Sequence, residues 1–192
     1  MRRVGLFGGS FNPPHIAHQL VALYVLETQV DEVWFVPTYT HPFAKHLALY
    51  DHRVAMCELA AASLGARASV SRAEQELAAK PGFVASRTLD LVDHLSAKHT
   101  DAQLHLVVGA DILGETDKWY RWDDVTRRAP LIVIGRTGYT VPAGSVKTGV
   151  VMPEVSATRV RELLGAKDAA VSSLLPATVL RYIARHGLYD RA

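Results

Sequence analysis

Short apolar runs alternate along this chain with longer segments in which apolar residues recur every three or four positions. Residues 4–7, 33–36, 68–71, 104–108 and 131–134 are runs of the first kind and read as five strands. Helices are predicted over about 15–28, 51–64, 85–98, 157–164 and 176–186. Asp51 is placed to cap the second of these, and Leu89, Leu91, Val92 and Leu95 stripe the third. The strand runs carry few polar interruptions, as strands covered on both faces do. Strand–helix alternation predicts a parallel sheet with right-handed crossovers: an α/β, Rossmann-like doubly wound sheet closed by C-terminal helices. The segment 135–149, rich in Gly, Thr and Val, reads as a loop or hairpin.

A chain of 192 residues buries one sizeable core, so one domain over 1–192 is expected. A net charge of +2 permits anionic small molecules and gives no reason to expect a nucleic-acid partner. The single cysteine, Cys57, excludes an internal disulfide and reads as a small core residue. Two N-terminal arginines are followed by a short glycine-containing strand rather than a long apolar run, so neither a signal peptide nor a membrane span is expected, and the protein reads as cytoplasmic. The apolar helix faces leave a homo-oligomer open.

The first candidate chemistry lies directly after the first strand, in Gly8-Gly9-Ser10-Phe11-Asn12-Pro13-Pro14-His15-Ile16-Ala17-His18. Glycines let a backbone approach a phosphate closely. Asn12 reads as the cap of a helix whose first turn holds the prolines. His15 and His18 then share one face near the positive end of the helix dipole. Either pair alone is as well explained by a tight turn or by packing. Together, at the carboxyl end of a first strand, they read as a polyphosphate site. No Gly-Lys-Ser/Thr follows, which excludes a P-loop, and the third glycine of a dinucleotide fingerprint is missing.

A second anion-ready helix start is Ser156-Ala157-Thr158-Arg159-Val160-Arg161, with Ser156 as cap and Arg159 and Arg161 as fixed charges. It reads either as a plain cap or as the far jaw of a triphosphate site. A third segment runs from Val108-Gly109-Ala110-Asp111 to Trp119-Tyr120-Arg121-Trp122. Asp111 suits ribose hydroxyls, and Trp119 or Trp122 offers a face for stacking or for ordinary packing. Trp34, Tyr39 and Phe43 read as a lid or as core; His41 and His46 as neighbours of Lys45 or as solvated. No Cys or paired carboxylate completes a ligand set with His15, His18 and His41, so a protein-held metal is not expected.

At these residues the chain resembles the nucleotidyltransferase superfamily with the signature Gly-Gly-x-Phe-x-Pro-x-His-x-Gly-His plus Ile-Ser-x-Thr-x-x-Arg, and within it the bacterial nicotinate-mononucleotide adenylyltransferases. The segments 133–139 and 182–189 extend the likeness nearly end to end. The resemblance implies transfer of AMP from ATP to the phosphate of nicotinate mononucleotide, in NAD biosynthesis. It implies His15, His18 and Lys45 as catalytic groups, with Arg53 in support of Lys45. It implies Gly8, Gly9, Ser10, Phe11, Asp111, Arg136, Ser156, Thr158 and Arg161 around ATP, and Asn12, Thr88 and Trp119 around the acceptor, Trp119 stacking on the pyridine ring. Mg²⁺ is expected on the ATP phosphates without a direct protein ligand. Two departures stand out. Ala17 replaces the motif glycine, with tolerance expected. Val84 and Ala85 stand where a Tyr and a Thr are usual in the loop that helps hold the nicotinate carboxylate. Nicotinamide mononucleotide and phosphopantetheine therefore remain alternative acceptors.

Overall fold

The structure is a computed structural model that describes residues 1–40, 47–135, 146–151, 153 and 155–190. Lys45, Arg136, His41, Phe43 and His46 lie outside the described residues. Six strands form one parallel sheet: β1 (Arg2–Gly9), β2 (Glu32–Pro37), β3 (Ala68–Val70), β4 (Ala102–Gly109), β5 (Leu131–Gly135) and β6 (Val146–Val151), in the order β3-β2-β1-β4-β5-β6. β1 therefore lies at the centre, with β2 and β4 on its two sides. The chain winds one way from β1 to β3 and the other way from β4 to β6. The carboxyl end of β1 is the point of reversal, where a doubly wound sheet leaves a crevice.

Period-two alternation explains why both faces are covered. Val4 and Leu6 of β1, with Leu104, Leu106 and Val108 of β4, point to one face. There they pack on α4 (Thr88–Lys98) through Leu89, Leu91, Val92 and Leu95, and on α5 (Trp122–Arg128) through Val125. Val33 and Phe35 of β2, with Ile132 and Ile134 of β5, point to the other face. They meet α1 (Ile16–Thr28) through Val21, Ala22, Val25 and Leu26, and α2 (Tyr50–Ala62) through Cys57 and Ala61. At Gly5 a side chain would come within 3.1 Å of Val107, so the β1 backbone sits as close to its neighbours as glycine allows. Cys57 is fully buried and burial pushes its thiol pKa up, as befits a small core residue. A third cluster joins α6 (Ala157–Gly165) and α7 (Ala177–His186) to the start of α1 and to α2. No helix among the described residues is long and apolar enough to cross a membrane.

Several sequence expectations need correction. Residues 136–145 of the segment read as a loop or hairpin lie outside the described residues, and its end belongs to β6, which pairs with β5 in parallel and extends the sheet by a sixth strand. The second helix is capped by Leu49, not Asp51, which stands in the first turn and pairs with Arg72 at 2.9 Å. The helix expected from 85 starts at Thr88, because 73–78 forms a short separate helix, α3 (Ala73–Ala78), and a loop follows. The 3-10 segment Ala110–Lys118 and α5 add two short elements between β4 and β5 that the periodicity does not predict. Trp34 is core, 7% exposed, with its indole N–H donating to Glu32.

Candidate active site

A cleft of about 660 Å³ opens at the carboxyl end of β1, β4 and β5. This size suits a nucleotide-scale ligand. Gly8 on one side and Ser156 and Thr158 on the other line the same cleft, together with His15, His18 and Asp111. The two segments that the sequence singled out thus line one cleft, joined by the bond from Arg161 to the Asn12 carbonyl. Gly8 is exposed, and a side chain there would meet nothing within 4 Å. It would instead project into the cleft, the space a close-approaching ligand needs. Gly9 is turned the other way: its carbonyl accepts from Thr38 N–H at 3.0 Å, and a side chain would press on the Phe11 ring at 3.3 Å.

Asn12 does not cap α1. The cap is His15, in extended backbone, and Pro13 and Pro14 precede the helix and are buried. The His15 N–H donates to Nδ1 of His18 at 3.0 Å, and the two rings stack with centroids 3.7 Å apart. An imidazole nitrogen that accepts an N–H bond carries a lone pair, so the ring proton of neutral His18 sits on Nε2. The backbone of one histidine thus sets the other as a donor through Nε2. Phe11 meets the His18 ring edge-on at 5.0 Å, and its backbone takes the left-handed conformation at φ 44°. A non-glycine residue there costs about 1–3 kcal/mol and persists only where its surroundings over-determine it.

Those surroundings are two guanidinium groups and an amide. Arg53 is 2% exposed and donates to the Ser10 carbonyl at 2.9 Å and the Ala48 carbonyl at 3.0 Å. Burial pulls its pKa below the usual arginine value. It lines no part of the cleft, so its place is beneath the turn rather than on a substrate. Arg161 donates to the Asn12 carbonyl at 2.8 Å and to Thr158 Oγ1 at 3.2 Å, which ties the first turn to the second helix start. Asn12 is itself 2% exposed, and its side-chain oxygen accepts from Ala48 N–H. Ser156 caps α6 by accepting from Arg159 N–H at 3.1 Å. The Arg159 side chain, in contrast, points to solvent and Glu162.

Across the strand edge, Tyr39 N–H donates to Glu74 at 2.6 Å, and burial raises the Glu74 pKa above the ordinary carboxylate value. Neither the Glu74 contact nor Arg53's bond to the Ser10 carbonyl carries a sequence signal; they are bonds between side chain and backbone 35 and 43 residues apart. Ala17, in place of the motif glycine, is buried in the cluster that holds Met56, Val155 and Val160, and it also lines the cleft, so its methyl stands at the cleft wall.

The residues expected around a second substrate are less gathered. Thr88 opens α4 and Trp119 follows the 3-10 segment, and neither lines the main cleft. Trp119 borders a shallower hollow with Thr116, Arg121 and Trp122, its ring edge-on to Trp122 at 5.2 Å. Arg87, the residue before α4, lies over the Tyr120 ring at 4.3 Å, and Val84 is 82% exposed.

Residues 6–163 match the cytidylyltransferase-like family model. Over 98% of its length the chain is 47% identical to a protein of Anaeromyxobacter dehalogenans named probable nicotinate-nucleotide adenylyltransferase, covering 97% of that protein. It is 40% identical to one of the same name from Myxococcus xanthus, over 97% of this chain and 94% of that one. In structure it resembles Plasmodium falciparum nicotinic acid mononucleotide adenylyltransferase complexed with NaAD, with a TM-score of 0.81 at 17% identity over 99% and 98% of the two chains.

Proposed function

The chain belongs to the cytidylyltransferase-like family as a nicotinate-nucleotide adenylyltransferase, and from this we infer that it transfers AMP from ATP to the phosphate of nicotinate mononucleotide, releasing pyrophosphate and forming nicotinate adenine dinucleotide for NAD biosynthesis. The observation that carries this reading is the convergence on one cleft of Gly8, the Ser156–Thr158 helix start and the paired imidazoles.

An oxygen of the acceptor phosphate attacks the α-phosphorus in line. The new P–O bond forms as the bond to the bridging oxygen breaks, and pyrophosphate carries the electron pair away. No covalent intermediate on the protein is needed, so catalysis is positioning plus stabilisation of charge. His18 Nε2–H, oriented by the His15 backbone, donates to phosphate oxygens as charge builds on them, and His15 stands beside it. The backbone at Gly8 lets the phosphates approach, Ser156 and Thr158 supply hydroxyls opposite, and Arg161 adds a fixed positive charge. Lys45 and Arg136 complete the proposed cationic set, Asp111 accepts from a ribose hydroxyl, and Trp119 and Thr88 serve the acceptor. The reading treats residues 1–192 as one nucleotidyltransferase domain of a cytoplasmic enzyme.

Mg²⁺ enters with the triphosphate. Among the described residues no three His, Cys, Asp or Glu side chains converge, and Asp111 is the one carboxylate lining the cleft. Imidazole, hydroxyl and guanidinium donors suit phosphate oxygens rather than a hard cation. When bound, the ion neutralises charge on the leaving pyrophosphate.

The test is an acceptor panel. With ATP and Mg²⁺ present, pyrophosphate release is measured for nicotinate mononucleotide, nicotinamide mononucleotide and phosphopantetheine in turn. Preference for the nicotinate compound is expected; turnover only with phosphopantetheine, or with none of the three, rejects the reading.

A further inference from the structure

We propose that Tyr189 is a positioning residue for adenylyl transfer: through Asn12, its hydroxyl holds the turn that presents the two catalytic imidazoles. The proposal rests on the function inferred above. The Tyr189 hydroxyl donates to Asn12 Oδ1 at 2.7 Å across 177 residues of sequence. The Ala48 N–H donates to the same oxygen at 3.0 Å. Two donors converging on one side-chain oxygen fix which way the buried amide faces. The Asn12 carbonyl is held separately by Arg161 at 2.8 Å, so the residue is gripped from α6, from the stretch before α2, and from the end of the chain.

The backbone at both ends of this contact is shaped for it. After α7, Gly187 turns left-handed at φ 58° and Tyr189 follows at φ 65°. Together they fold the chain back toward the first turn. A non-glycine residue in that conformation is strained, and strain of this kind is kept where a specific placement is needed. Phe11, the residue before Asn12, is left-handed too, at φ 44°. Apolar packing already secures α7 through Val179 and Ile183. Anchoring the helix therefore does not require a hydroxyl aimed at a cleft-lining residue. Burial raises the Tyr189 pKa, which keeps the hydroxyl protonated as a donor.

The consequence reaches the imidazoles directly. Only Pro13 and Pro14 separate Asn12 from His15, and proline rings leave little backbone freedom to absorb a shift. Asn12 and Phe11 both line the cleft, and Phe11 touches the His18 ring. A displacement near 1 Å at a reacting centre lowers rates by up to about 100-fold.

Tyr189→Phe removes the one hydroxyl. It is expected to lower kcat about 10-fold, with KM for ATP changed less than about 2-fold and Tm lowered by at most about 3 °C. Tyr182→Phe is the matched control. Tyr182 lies on α7, and its hydroxyl meets His52 Nδ1 at 2.9 Å, outside the cleft. Its removal is expected to cost similar stability and leave kcat unchanged. A second readout needs no turnover: the ring C–H resonances of His15 and His18 should shift in Tyr189→Phe while those of His94 stay in place. Wild-type kcat in Tyr189→Phe, an equal kcat loss in Tyr182→Phe, or unmoved His15 and His18 resonances each overturns the proposal. Absence of turnover in the wild-type protein overturns the functional reading instead, and the resonances then decide the positioning alone.

Discussion

Around the first turn and its imidazoles, polar groups are held by partners from distant parts of the chain; around Trp119, outside the cleft and proposed for the acceptor, the surface is made of rings and exposed side chains. The first region has Asn12 and Arg53, both 2% exposed, and a histidine whose donor nitrogen is set by its neighbour's backbone. The second has Val84 in solvent, Tyr120 under Arg87, and two tryptophans packed edge to face. Buried, fully bonded groups move little, and a transition state needs donors already in place. A flat ring and a backbone edge can instead recognise an acceptor through stacking and amide groups. Under the proposed function, the contrast separates the labour: rate would reside in the first region and choice of acceptor in the second.

Four experiments strain that division, in order of expected size. His18→Ala should lower kcat by at least about 100-fold with folding intact, measured by pyrophosphate release beside thermal melting. Near wild-type turnover would move the chemistry away from the phosphate end. Arg53→Met leaves the Ser10 and Ala48 carbonyls without their buried donor, at about 1–3 kcal/mol each. Its signature is a loss of stability in chemical denaturation. An unchanged midpoint would show that the first region does not depend on its buried bonds.

Trp119→Ala should raise KM for the acceptor about 10-fold, the size of a lost stacking contact, while KM for ATP stays put. A matching rise in both constants would erase the boundary between the two regions. Smallest is the pH effect of Glu74. Its pKa is raised in the folded protein by burial, so the folded state binds the proton more tightly than the unfolded chain. The associated stability is present below the ordinary value of 4.5 and is lost as pH rises through the folded value. Glu74→Gln keeps an oxygen for Tyr39 N–H and removes the titration. Its Tm relative to wild type should therefore climb as pH rises past 4.5, and a pH-independent difference would refute the assignment.

Local physics made much of this molecule legible in its sequence. The apolar runs at β1, β2, β4 and β5 declare themselves by composition. Ser156 declares itself as a cap because its hydroxyl reaches an N–H only three residues on. The spacing of His15 and His18 implies that the two rings meet, and they do stack, although His15 is the extended cap residue and not part of the helix face. The glycine turn after the central strand lies where the direction of winding reverses, and strand–helix alternation alone implies such a point.

Other features had no local signature. Nothing near Asn12 indicates that it faces Tyr189 rather than capping the helix beside it, since a nearby cap and a distant phenol compete for the same oxygen. Arg53 reads as one more cation near Lys45 until the fold buries it under the Ser10 carbonyl. The Gly/Thr/Val-rich stretch reads as a loop or hairpin, and only the fold adds residues 146–151 to the edge of β5 as a sixth, parallel strand. Periodicity and capping depend on neighbours within one turn or one pleat, so the sequence by itself determined five of the strands, the longer helices and the Ser156 helix start that lines the cleft. Bonds that join residues 43, 149 or 177 positions apart depend on where whole elements come to rest, and those the tertiary structure alone decided.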